Sequence, residues 1–266
     1  MAEELFDNTG RLIPVPSERV YSFEDRKYFS LEQPQIDFKT VFARLTSNLQ
    51  LDFTDLTSSN FESQALALKE NLMKKSYGLN LFKGIHVPFI LPSMDAADIH
   101  TQLQEIFIPG VRKSYFSEYP QYEFHDFSSR HNLGRMDVVQ GSRYNQLIEK
   151  LTNTPVVGWY FPNPLAGFAI PDQRTLISRL PEEFLLSGPL EAAAALVGAP
   201  NLLMKSDGKY PNLLALTSVE PNQDNAKHFF WFFEAYGWNL NFNLRSMNGA
   251  VSEYFAGGLT IVNSIA

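Results

Sequence analysis

The clearest pattern of polar and apolar positions lies in the last third of the chain. Between Trp238 and Leu244, apolar residues alternate strictly with three asparagines, Asn239, Asn241 and Asn243. Successive side chains of a strand point to opposite faces of its sheet, so this alternation predicts a strand with one buried face and one polar face.

The segment just before it has a different character, because residues 228–233 read His-Phe-Phe-Trp-Phe-Phe. A strand that is apolar on both faces is typically covered on both sides, or meets another chain on one side. Tyr236-Gly237 separates the two segments and predicts a hairpin. Asp207-Gly208 predicts another hairpin, between Leu202–Lys205 and Leu213–Val219.

Upstream, apolar residues recur at helical spacing in several segments separated by short strands. The predicted helices are Gln35–Asn48, a helix from a capping box at Ser59 and Glu62 to Gly78, a helix from Ser93 to a stop at Pro109-Gly110, Ser142–Thr152, and a helix from Gly188-Pro189 to Gly198. The predicted strands are Ile85–Leu91, Tyr119–Phe127, Met136–Val139 and Val156–Phe161. Pro88 lacks a ladder donor, so the first strand is predicted to lie at a sheet edge or to carry a bulge.

Together these elements predict an α+β fold with a mainly antiparallel sheet in the C-terminal third, packed against N-terminal and central helices. A chain of 266 residues suits one large domain or two small ones, and we expect one domain over residues 1–266. The alternative division falls in the proline-rich stretch 162–171, between a helix-rich α/β part (1–161) and a β-rich part (172–266).

Composition narrows the classes of partner and site. The net charge of −7 argues against nucleic acid, because binding to its backbone uses clustered Lys and Arg. The absence of cysteine excludes disulfides, thiolate metal sites and thiol nucleophiles. No secretory signal begins the sequence and no apolar run approaches the ~20 residues of a membrane helix. We therefore expect a soluble, cytoplasmic protein without a membrane partner, with signal-less export left open.

The densest polar cluster is the loop from His125 to Asp137, which also contains Asp126 and His131. Two histidines and two carboxylates can bind a metal or perform acid–base chemistry. However, the spacing of six between the histidines matches neither a helix face nor a zinc signature. A polar surface loop is the simpler interpretation. His125, Asp126 and His131 are the candidate catalytic residues, and we predict no metal and no cofactor.

The other histidines receive structural interpretations. His86 lies in a predicted strand and His228 at the start of another, where a hydrogen-bonded core or rim position is usual. His100 follows an apolar helix position and is predicted to face solvent. Nucleophile elbows and glycine-rich phosphate loops are absent from the sequence.

Aromatic and amide side chains near the C-terminal hairpin form the second candidate site. Stacking faces and amide groups suit the recognition of a sugar or a peptide, or a strand-mediated dimer. The alternative is that the aromatic rings are core and the asparagines merely solvated. The candidate binding residues are Trp231, Tyr236, Trp238, Asn239, Asn241 and Asn243.

No motif in the sequence specifies a reaction. The first hypothesis is therefore a non-catalytic binding or protein-interaction protein that uses the aromatic sheet surface. Its partner is a second copy of the chain, in a homo-oligomer, or another protein, and a small ligand is also open. The alternative is a small-molecule enzyme, hydrolase-like, centred on the loop from His125 to Asp137.

Overall fold

The structure is a computed structural model that describes residues 4–20, 32–128, 134–203, 212–247 and 257–264. The α-helices are α1 (Phe38–Asn48), α2 (Ser58–Met73), α3 (Gly78–Leu81), α4 (Ile99–Gln102), α5 (Ile108–Glu118), α6 (Asn145–Asn153), α7 (Ile170–Leu176) and α8 (Pro189–Gly198). The strands are β1 (Val87–Leu91), β2 (Phe124–Asp126), β3 (Met136–Val138), β4 (Val156–Phe161), β5 (Leu185–Leu186), β6 (Asn212–Ala215), β7 (Val219–Pro221), β8 (Phe229–Tyr236), β9 (Asn239–Ser246) and β10 (Leu259–Ser264).

These strands form two four-stranded sheets and a two-stranded ribbon. The first sheet has the order β1-β4-β10-β5 and is antiparallel throughout. The second sheet has the order β2-β9-β8-β6, and only its β2–β9 pair is parallel. Strands β3 and β7 form the ribbon. The predicted α+β class is confirmed, with β5 to β10 drawn from the last third of the chain.

Helix α8 is buried along its whole length. A helix that is apolar all round belongs inside a core rather than on a surface. Small residues allow close packing there: a Cβ on Gly198 would lie 2.8 Å from the Val41 side chain of α1. The main hydrophobic cluster extends from Phe6 to Ile261, on both sides of the stretch 162–171. The single-domain organisation stays a prediction that this continuous cluster favours.

The third predicted helix is longer than expected. Asp98, and not Ser93, caps its start, and the helix continues through Pro109 to Glu118. A proline inside a helix lacks an N–H and crowds the carbonyl four residues before it. Here the turn before the proline, Leu103–Phe107, is π-helical. We attribute the continuation to this wider turn, which relieves the conflict that normally ends a helix.

Two other predictions needed correction. Thr57, and not Ser59, caps α2 by accepting a hydrogen bond from the Asn60 N–H at 3.1 Å. Residues 202–203, predicted to begin a strand, lie in a turn instead, and the rest of the Asp207-Gly208 hairpin signal lies outside the described residues. The strand that follows it, β6, pairs with β8.

The hairpin of β8 and β9 confirms the predicted alternation. Leu240, Phe242 and Leu244 are buried on one face of β9. The connecting turn is Gly237-Trp238, whose φ angles of 58° and 71° are both positive, as the tight turns of two-residue hairpins require. Trp238 therefore belongs to the turn and not to the apolar face of the strand.

Both faces of β8 are covered within a single chain. Trp231 and Phe233 join the main cluster on one face. Phe230 and Phe232 join a second cluster on the other face, together with Ile170, Leu213 and Ala215. The doubly apolar strand is thus explained by intrachain packing and does not by itself call for a second subunit.

Candidate functional site

The second sheet brings together the two candidate sites of the sequence. The parallel pairing of β2 with β9 sets His125 opposite Asn241. The antiparallel pairing of β8 with β9 sets Glu234 opposite the same asparagine. Partners in register present their side chains on the same face of a sheet. Glu234, Asn241 and His125 therefore form one row across three strands, which we call the polar row.

The inner part of the polar row is buried. Asn241 is 7% exposed and Glu234 is 6% exposed. The Oδ1 atom of Asn241 has no hydrogen-bond partner among the residues that the structure describes. Leaving a buried acceptor unpaired costs about 1–3 kcal/mol, so this oxygen calls for a donor.

The carboxyl group of Glu234 is also poorly compensated. Burial raises its pKa above the ordinary value, and the Arg245 guanidinium opposes this shift. The Nη2 atom of Arg245 is 4.0 Å from Oε1 of Glu234, which is the limit of an ion pair. The carboxyl group of Glu234 thus lies in register with Asn241, with the Arg245 guanidinium 4.0 Å away.

The outer end of the row reaches solvent at β2. The side chain of His125 is 35% exposed, and its Nε2 atom lies 3.1 Å from Oε2 of Glu123. Its ring stacks on Phe127, with 5.4 Å between the centroids. The row thus runs from a buried carboxyl group to an accessible imidazole.

The neighbouring asparagines supply donors to the same face. The Oδ1 atom of Asn239 accepts a hydrogen bond from the Glu123 N–H at 2.9 Å, and that of Asn243 accepts from the Leu244 N–H at 2.8 Å. These bonds compensate for the poor strand propensity of asparagine. With the two oxygens occupied, both Nδ2 groups are left to donate, since the described part of the chain provides no acceptor for either.

Aromatic rings lie at the hairpin end of the sheet, of which Tyr236 is on the face of the polar row. Tyr236 pairs with Asn239 across the strands and is 60% exposed. The Trp238 ring stacks on Tyr122, at 5.5 Å between centroids and 17° between planes. A positive φ at a bulky residue costs about 1–3 kcal/mol, and a hydrogen bond from the Tyr115 hydroxyl to the Trp238 carbonyl helps to hold it.

Trp231 lies elsewhere. It is paired with Leu244 and buried on the core side of the sheet. Of the candidate binding residues, Tyr236 and the three asparagines share one face. Trp238 lies in the turn with its ring on Tyr122, and Trp231 lies on the core side of the sheet.

The candidate catalytic residues do not converge in the part of the loop that the structure describes. The Oδ1 atom of Asp126 accepts from the Ser128 N–H at 2.9 Å and the Ser128 hydroxyl at 2.6 Å. Asp137 is exposed on the separate β3–β7 ribbon, opposite Glu220. His131 lies outside the described residues. Within those residues, no group of three or more His, Asp or Glu could hold a metal ion.

Sequence reasoning placed His100 wrongly, because this histidine is half-buried. Its Nδ1 atom is enclosed without a hydrogen-bond partner in the described structure. Burial lowers its pKa, as does Arg135, while Asp98 and Asp126 oppose the shift.

Sequence reasoning also missed Glu191, which is fully buried in the first turn of α8. Its carboxylate accepts hydrogen bonds from the Gly188 N–H, from the Tyr144 hydroxyl at 2.8 Å and from the Thr260 hydroxyl at 3.2 Å. Burial raises the pKa of Glu191 to about 7, against the effect of these donors. Because its donors are groups of the fold itself and the carboxylate is enclosed, its role is structural.

Two clefts on the described surface have charged residues in their linings. One, of about 330 Å³, contains Arg44, which pairs with Glu118 at 2.6 Å and donates to the Gly198 carbonyl at the end of α8 at 3.2 Å. The other, of about 270 Å³, contains Glu18, which pairs with Arg179. In the first cleft Arg44 thus serves an ion pair and a helix end, and in the second the Glu18 carboxylate is engaged by Arg179.

Comparison with protein-family models, with curated proteins and with solved structures finds no match for this chain. No helix in the described ranges is long and apolar enough to cross a membrane. The geometry of the polar row is therefore the basis on which a function can be proposed.

Proposed function

We propose that this protein is a non-catalytic binding protein that takes a small, hydroxyl-rich ligand of the saccharide class at the polar row. The observation that carries the proposal is the buried Oδ1 atom of Asn241, which lies unpaired between Glu234 and His125. A hydroxyl group of the ligand would donate to it.

The mixture of donors and acceptors favours hydroxyl groups over other ligand chemistries. Asn241 and Glu234 offer oxygens that accept, while Asn239 and Asn243 offer amide groups that donate. A hydroxyl group both donates and accepts, whereas an ammonium group only donates. Anionic ligands are disfavoured by the carboxyl group of Glu234 and by the net charge of −7.

The hairpin end adds an apolar surface of the right kind. Tyr236 presents an exposed aromatic ring beside Asn239. Aromatic side chains with a polar tip suit ligands that have both an apolar face and hydroxyl groups.

The hydrolase alternative has less support. It needs His125, Asp126 and a third group to meet around a substrate. Instead, Asp126 accepts from the Ser128 that follows it, and His125 pairs with Glu123. We therefore assign His125 to the rim of a binding site.

The test is isothermal titration calorimetry with neutral monosaccharides and disaccharides, with a primary amine and inorganic phosphate as chemical controls. We expect a saccharide to bind the natural protein with a millimolar or lower dissociation constant. Binding should disappear in Asn241→Leu and persist in Asn153→Leu, a change at an exposed asparagine that ends α6. Thermal unfolding of both variants verifies that they are folded.

Three outcomes contradict the proposal. The first is the absence of binding by every saccharide at about 10 mM, where a 1 mM site would be mostly filled. The second is saccharide binding that Asn241→Leu leaves unchanged. The third is a preference for the amine or for phosphate, which would indicate a site of different chemistry.

A further inference from the structure

The smaller of the two surface clefts, of about 270 Å³, lies between two walls. One wall is the N-terminal turn at residues 17–19, and the other is helix α7 together with Phe168 just before it. No residue in the lining of this cleft belongs to the polar row. The cleft is therefore a separate place on the surface, with its own chemistry.

Hydrogen bonds and an ion pair hold both walls in position. Arg179, which follows α7, pairs with one carboxylate oxygen of Glu18. The other oxygen of Glu18 accepts from the Val15 N–H at 2.9 Å. On the opposite wall, the Gln173 side chain donates to the Phe168 carbonyl at 2.8 Å. The shape of the cleft is thus set by the fold, and the charge of Glu18 is already compensated.

Two other charged residues line the cleft without such partners. Arg19 lies on the N-terminal wall, and Asp172 lies on the α7 wall. Across the described ranges of the chain, neither charged group takes part in a hydrogen bond or an ion pair, including one with the other. One guanidinium group and one carboxylate in the same cleft are therefore uncompensated.

Apolar side chains complete the lining. Phe168 is 1% exposed and Leu176 is 5% exposed. Because both side chains are packed into the core and only their edges reach the cleft, the apolar part of a ligand here must be small. Burial of even a small apolar group favours binding.

A ligand with both charges satisfies the two walls at once. A simple anion would pair with Arg19 and be repelled by Asp172, and a simple amine would meet the reverse situation. A carboxylate can accept two parallel hydrogen bonds from a guanidinium group, and an ammonium group donates to a carboxylate. The uncompensated pair therefore favours a zwitterion over either single ion.

We propose that this cleft binds a free α-amino acid with a small apolar side chain. Its carboxylate would pair with Arg19, and its ammonium group would pair with Asp172. Its side chain would contact Phe168 and Leu176. The observation that carries the proposal is the pair of opposite, unpartnered charges on facing walls of one cleft with an apolar lining. The proposal does not depend on the polar row.

The test is isothermal titration calorimetry of the full chain with L-alanine, L-valine and L-leucine. Contacts between exposed charges are weak, so we expect at least one of these amino acids to bind with a dissociation constant of about 1 mM or lower. Valine methyl ester lacks the carboxylate, and N-acetylvaline lacks the ammonium group. Each should bind at least about fivefold more weakly than valine, because it loses one charged contact.

Two variants remove the protein's side of the same contacts. Arg19→Gln and Asp172→Asn change the charge of exposed side chains and keep their size, and each should weaken valine binding about fivefold. Arg112→Gln and Asp55→Asn are the matched controls, because both residues are exposed and lie outside the cleft. Thermal unfolding verifies that all four variants are folded.

A double-mutant cycle connects each ligand group to its residue. In Arg19→Gln, valine and its methyl ester should bind almost equally, because the partner of the carboxylate is gone. In Asp172→Asn, the same should hold for valine and N-acetylvaline. These equalities would not result from a general weakening of the cleft.

Three results would overturn the proposal. One is that none of the three amino acids binds at about 10 mM, where a 1 mM site would be mostly filled. Another is that the ester or the acetyl compound binds as tightly as valine. The last is that the two cleft variants bind valine as the controls do. A failure to bind saccharides would leave these expectations unchanged, because the two sites share no residue.

Discussion

Glu191 and Glu234 both have buried carboxyl groups, but the two groups differ in the partners that the fold gives them. Glu191 accepts from a backbone N–H and two hydroxyl groups. Glu234 has a guanidinium group at 4.0 Å and, across the strands, an asparagine with an unpaired oxygen. The burial of a titratable group does not by itself identify a functional site. What distinguishes the two places is whether the fold supplies their hydrogen-bond partners.

The position of Glu191 explains why its partners are complete. It lies in the first turn of α8, where backbone N–H groups have no partner within the helix and the helix dipole favours a negative charge. Tyr144 reaches it from the start of α6, and Thr260 reaches it from β10. One side chain therefore joins three elements inside the core, which is a structural role.

The largest expected loss of stability follows from replacing Glu191. Glu191→Ala removes the acceptor of three buried donors and should lower the free energy of unfolding by about 4 kcal/mol. Urea denaturation measures the loss. Glu234→Ala, the matched change at the polar row, should cost much less. If the two losses were equal, the contrast between the two carboxyl groups would be wrong.

The second prediction concerns the dependence of the unfolding free energy on pH. The pKa of Glu191 is raised to about 7 by burial, above its ordinary value of 4.5. A group whose folded pKa is raised adds stability at low pH, and this stability is lost as the pH rises from about 4.5 to about 7. The loss is about 3 kcal/mol, because one pKa unit corresponds to about 1.4 kcal/mol.

The measurement compares the natural protein with Glu191→Gln, which cannot titrate. Between pH 4 and pH 8, the unfolding free energy of the natural protein should fall by about 3 kcal/mol relative to that of Glu191→Gln. Carboxyl groups with lowered pKa, such as Asp98 and Glu183, have the opposite slope but are present in both proteins. A constant difference across this range would show that the pKa of Glu191 is the same in the folded and unfolded protein.

The sequence could predict what depends on local periodicity. The alternation of β9 gave its buried and polar faces, and the apolar run of β4 gave its bounds, Val156–Phe161. Such patterns reflect which side of one element is buried. Such patterns do not indicate which element covers the buried side. For this reason the sequence could not decide whether the second apolar face of β8 packs within the chain or against a second copy.

The polar row could not be predicted because it depends on long-range register. Glu123 and Asn239, which hydrogen-bond at its rim, are 116 residues apart in sequence. Nothing local indicates that β2 runs parallel to β9, yet a shift of one residue would turn His125 to the other face.

A signal did exist for Glu191: it is the sole charged residue in an otherwise apolar helix, and a helix apolar all round is buried.

The smallest expected effect tests the polar row directly. Asn241→Leu replaces an amide with an unpaired buried oxygen by an apolar side chain of similar size. The free energy of unfolding should stay the same or rise by about 1 kcal/mol, because the cost of the unpaired acceptor disappears. The control, Asn153→Leu, is an exposed change and should stay within about 0.5 kcal/mol. Urea denaturation without ligand is the measurement. If the free energy of unfolding fell by more than about 1 kcal/mol, Oδ1 of Asn241 would already have a hydrogen-bond partner in the folded protein. The polar row would then have a structural role, as Glu191 does.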